Sequence, residues 1–131
     1  MRRKIASVGL AVILLGAAAT GEEKKPDAGT ARVAAQENAK TPAGKRYEAA
    51  LEAALESWLR KSLERCIRGR EKSELSDFET FVRVGGAGEA EEVVFGAETA
   101  VARCVEPDFR DAKYPRPPRP SWWIKVEVQL R

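Results

Sequence analysis

The chain has 131 residues, room for one modest domain, and none of them is histidine. The commonest general base near neutral pH and the commonest metal ligand are therefore missing, and two cysteines alone fall short of the four Cys or His ligands of a structural zinc site. The formal charge of +3 sets 23 Lys and Arg against 20 Asp and Glu, but Arg2, Arg3 and Lys4 sit at the extreme amino terminus. The remainder is formally neutral, which argues against nucleic-acid binding, where the folded domain itself carries a basic excess.

In chain order, that basic triplet precedes an apolar run over residues 5–15 and then Gly16, Ala17, Ala18 and Ala19. This is the order of a secretory signal peptide, residues 1–19, with cleavage after Ala19. The alternative is an uncleaved membrane anchor, for which the apolar run is shorter than the roughly 20 residues needed to span a bilayer. No cysteine follows the run closely, so the usual lipoprotein attachment is excluded. The expected location is the periplasm or the extracellular medium, without a stable membrane span if the signal is removed. Residues 20–42 mix charge with Ala, Gly, Thr and Pro and show no apolar period, so they read as a flexible linker, with a transient helix around residues 31–39.

The domain is expected over residues 43–131. Tyr47, Leu51, Leu55, Trp58, Leu59, Leu63, Cys66 and Ile67 make one apolar stripe on a helix of some six turns, ended by Gly69. Trp58 belongs to that stripe and reads as core. Glu48, Glu52, Glu56 and Glu64 read as solvated charges with local ion pairs. Residues 78–84 alternate as a strand, Gly85, Gly86 and Gly88 supply a turn, and residues 90–95 return antiparallel. The glycines lack the Lys-Ser/Thr and following helix of a P-loop. A second helix lies within residues 96–111, with Val101, Cys104, Val105 and Phe109 inward and Pro107 expected to end or kink it near Glu106. Residues 113–120 (KYPRPPRP) form a stiff connector or, alternatively, a polyproline ligand. Last, Trp122, Ile124, Val126, Val128 and Leu130 alternate with Trp123, Lys125, Glu127, Gln129 and Arg131 in the clearest strand of the chain.

The fold class is thus α+β: an αββαβ order with two helices on one face of a three-stranded antiparallel sheet. In an exported chain the even pair Cys66 and Cys104 reads as a disulfide stapling both helices, the alternative being two free buried thiols.

Across most of residues 60–131 the order of features resembles the carboxy-terminal domain of TonB, most closely its Cys-paired branch at the ends of AgmX/PglI-type proteins. The features are Cys66 closing the first helix, the strand–Gly turn–strand unit, Cys104-Val105 in the second helix, the Tyr114-Pro115-x-Pro117 step and the closing strand. The resemblance implies a non-catalytic periplasmic module that pairs an exposed sheet edge with a protein or peptide. By position that edge is the last strand, and Trp123, Lys125, Glu127 and Gln129 are its candidate contact residues. Trp123 is either an exposed anchor or packed beneath the Pro-rich stretch or the first helix. The chain departs from energy transducers of that family, which keep an amino-terminal membrane helix with a functional histidine and a long Pro-rich spacer.

Other roles weigh less. Catalysis would have to use carboxylates such as Asp108 with Asp111, or Glu91 with Glu92, and adjacent strand residues face opposite ways. No enzyme activity, cofactor or metal is therefore expected. The alternatives are a structural cell-envelope subunit working through the helix of residues 44–67, or a membrane-anchored TonB-like energy transducer if the amino terminus is kept. The unguarded last strand also allows a strand-mediated homodimer.

Overall fold

The three segments expected as strands each become a strand of one antiparallel sheet in the computed structural model, which describes residues 26–130. The strands are β1 (Phe78–Val84), β2 (Ala90–Phe95) and β3 (Trp122–Val128). The sheet order is β2-β1-β3, so β1 is central and both hairpin partner and closing strand are edges. The register pairs Val82 with Val93 on one side and with Ile124 on the other. Gly85, Gly86 and Gly88 turn the chain between β1 and β2. At Gly88, with φ of +91°, a Cβ would stand 2.2 Å from the carbonyl oxygen of Tyr114, so only glycine fits.

Helices cover both faces. They are α1 (Ala28–Lys40), α2 (Pro42–Glu56), α3 (Leu59–Ile67) and α4 (Ala100–Asp111). The α+β class, the antiparallel sheet and the disulfide are as expected from sequence, and the two expected helical segments share one face of the sheet; the helix on the other face, α1, is not expected. Phe78, Val82, Val84, Val93, Ile124, Val126 and Val128 face the main core, closed by Tyr47 and Leu51 of α2 and by Val101, Val105 and Phe109 of α4. On the opposite face Phe81 is fully buried beneath Ala31 and Ala35 of α1, with Val94 and Trp123 beside them.

Helix α1 replaces the linker expected over residues 20–42 by an ordered helix over residues 28–40; residues 20–25 of that linker lie outside the described residues. Asp27 caps it by accepting from the Thr30 amide at 2.7 Å. Its inward residues are alanines, which lie close to the sheet without registering as an apolar stripe. Arg32 then bonds Glu79 at 2.7 Å and stacks over Phe81. The signal-peptide reading of residues 1–19 falls outside the described residues. Among those described, no helix is long and apolar enough to cross a membrane.

The expected six-turn helix is also two helices. Ser57 turns its hydroxyl back to the Ala54 carbonyl at 2.6 Å, and the chain breaks at Trp58. The break seats the Trp58 ring edge-on to Phe109, with centroids 5.1 Å apart. Nor does Pro107 end α4: the helix continues through it to Asp111. Pro107 lies on the exposed face, while buried Phe109 anchors the last turn.

Cys66 of α3 and Cys104 of α4 form a disulfide with Cα atoms 5.8 Å apart. Closing a loop with a sequence separation of 38 residues contributes about 4 kcal/mol on the chain-entropy account. The 113–120 stretch is a connector pinned at both rings. Tyr114 donates to the Phe109 carbonyl, and Tyr47 donates to the Pro115 carbonyl, each at 2.7 Å. Burial pushes the Tyr47 phenol up to about 12 and raises that of Tyr114 as well, so both remain donors at any physiological pH.

Candidate partner-binding edge and groove

The directions of the backbone groups on β3 follow from the sheet itself. Gly96 donates its N–H to the carbonyl of Glu79, so the odd-numbered residues of β1 bond toward β2. The even-numbered ones bond toward β3, in the pairs Phe78–Val128, Thr80–Val126, Val82–Ile124 and Val84–Trp122. On β3 the backbone groups of Trp123, Lys125 and Glu127 therefore point away from the sheet, along an edge where no other described strand pairs.

That edge is closed at one end and open at the other. Asn38, near the end of α1, donates its side-chain amide to the Trp123 carbonyl at 3.0 Å. The α1–α2 junction passes close by. At Gly44 a Cβ would stand 1.9 Å from the Asn38 carbonyl oxygen, and Thr41 caps α2 by accepting from the Gly44 amide. Beyond Trp123, Lys125, Glu127 and Gln129 are exposed and the edge is bare.

The open stretch borders a groove of about 910 Å³. Leu55, Leu59, Leu63 and Ile67 of α2 and α3 and Val126 and Leu130 of the last strand segment make its apolar surface. The four helix residues are only half-buried, so the stripe legible in the sequence is not fully covered by the sheet. Glu48, Glu52, Glu56 and Glu64 rise along the helical wall. The ion pairs expected for them do not form among the described residues; the salt bridges there involve other side chains.

Of the four residues expected to contact a partner, the structure thus divides one from three. Trp123 packs on the α1 cluster, beneath the Arg83 guanidinium 5.7 Å from its ring centroid, and its carbonyl is taken. Lys125, Glu127 and Gln129 line the groove. Sequence reasoning missed the leucines opposite them as site residues, because a regular stripe on a helix reads as core.

One member of each carboxylate pair, Asp108 and Glu91, is otherwise engaged. Asp108 accepts from the Ser62 hydroxyl and from Arg65, which fastens α3 to α4 beside the disulfide. Those bonds, Ser62 first, hold its carboxyl below the ordinary aspartate range. Glu91 accepts from Arg83 and from Ser121. No family model, curated protein or solved structure matches the chain.

Proposed function

We propose that this chain is a non-catalytic module of the periplasm or extracellular space that binds a protein segment by adding it as a fourth strand to β3. The observation that carries the reading is the pairing of a bare strand edge at Lys125 and Glu127 with a half-exposed apolar groove beside it. Backbone bonds to an edge supply affinity without sequence preference, and an adjoining surface that receives alternate side chains supplies specificity. The mode is that of TonB carboxy-terminal domains, which the order of elements resembles. The likeness extends to partner binding and not to energy transduction.

The geometry limits the added strand. Asn38 and the α1–α2 junction block pairing at Trp123, so the partner lies opposite Lys125, Glu127 and Gln129 and then runs on past the carboxy-terminal end of β3. Selection of peptides from a random display library against the full chain tests this. Selected peptides are expected to shift the amide resonances of Lys125 and Glu127 and protect them from hydrogen exchange. Peptides that map instead to the Ser62–Asp108 surface, or to the exposed side of α1, would remove the reading.

A further inference from the structure

The groove is unequal in charge as well as apolar. Glu48, Glu52 and Glu56 of α2 and Glu64 of α3 line one wall of the groove, and with Glu127 they set five acidic side chains against two basic ones around an apolar floor. Lys125 is already engaged by Glu127 at 3.6 Å, and among the described residues none of the four helical glutamates takes part in a salt bridge. A strand laid along β3 points every second side chain at this wall. Lysine and arginine suit such a site, since their stems cover apolar surface while their heads reach for charge.

We propose that the segment added to β3 is cationic: an extended stretch whose inward positions carry Lys or Arg. Its stems rest on Leu55, Leu59 and Leu63, and its charges meet Glu52, Glu56 and Glu64. This rests on the strand-addition reading and narrows it to a partner class. A second copy of the chain is the poorer occupant. Isologous pairing of β3 with itself sets the same acidic wall on both sides of the two-fold, where like charges oppose one another.

Three peptides of one length, alternating Val with Lys, with Gln or with Glu, separate the possibilities when titrated into the full chain and followed by amide resonances. The Val/Lys peptide is expected to shift Lys125 and Glu127 and to bind at least about tenfold more tightly than the Val/Glu peptide. The triple variant Glu52→Gln, Glu56→Gln, Glu64→Gln is expected to lose about tenfold for Val/Lys, as is the native chain in high salt. If all three peptides shift the same amides with equal affinity, strand addition stands and the cationic partner is wrong. If Val/Lys shifts no β3 amide, both are wrong. If the β3 amides move when the chain alone is concentrated, a second copy covers the edge and the cationic partner is again wrong.

Discussion

Thr80 occupies the centre of β1 with its side chain toward the main core, wholly buried, and its hydroxyl finds no hydrogen-bond partner there. A buried hydroxyl without a partner forfeits its hydration and gains nothing in return. Valine has nearly the same shape and suits the central strand better. Thr80→Val is therefore expected to stabilise the chain by about 1 kcal/mol, read as a higher denaturation midpoint at unchanged slope. A lower midpoint would mean that the hydroxyl is served. Trp123 teaches the opposite lesson. A large aromatic on the outward face of an edge strand invites a binding role, yet it is held by Arg83 above and the alanines of α1 beside it.

Among the elements, α1 is the one whose place depends on close approach rather than on bulky side chains. Its contact with the sheet is through Ala31 and Ala35 over Phe81, and its end is locked where Gly44 meets the Asn38 carbonyl. Gly44→Ala forces the α1–α2 junction apart. It is expected to cost about 2 kcal/mol and to raise hydrogen exchange along α1 while β1 and β2 keep theirs. An unchanged α1 exchange profile would show that the junction does not hold the helix. The same features explain what the sequence reveals. The strands are legible because a buried face and an exposed face write a two-residue period, as in Ile124, Val126 and Val128. Helix α1 is not, because the inward alanines Ala31 and Ala35 carry too little apolar signal to distinguish a packed helix from a polar linker. The break at Trp58 is hidden for a related reason: the apolar stripe continues across it, and the backbone at Ser57 and Trp58 that interrupts the helix leaves no mark in that pattern. Half of the candidate site was legible, namely the outward residues of β3, since their alternation is local. The groove was not, because whether a leucine stripe is fully covered depends on how far the sheet extends beneath it.

At the scale of the whole molecule, three strands support helices on both faces, and the disulfide ties α3 to α4 on the side that carries the groove. The sheet ends at β3, and the groove lies between that edge and the wall made by α2 and α3. Such a bare edge is a hazard unless it serves a partner, since it offers unpaired backbone groups to any extended chain. Here it is shortened at one end by Asn38 and bears Lys125 and Glu127 at the other, which guards it without closing it.

The central claim is that Lys125 and Glu127 offer their outward backbone groups to an added strand, and proline at one of them tests it most directly. Proline is tolerated on an edge where the lost N–H faces away from the sheet, and it cannot donate to a newcomer. The measurement is the affinity of Glu127→Pro for the tightest display-selected peptide, with thermal melting as the check on folding. The account predicts a folded chain with no measurable binding. A folded Glu127→Pro chain that binds the peptide as the native chain does would contradict it.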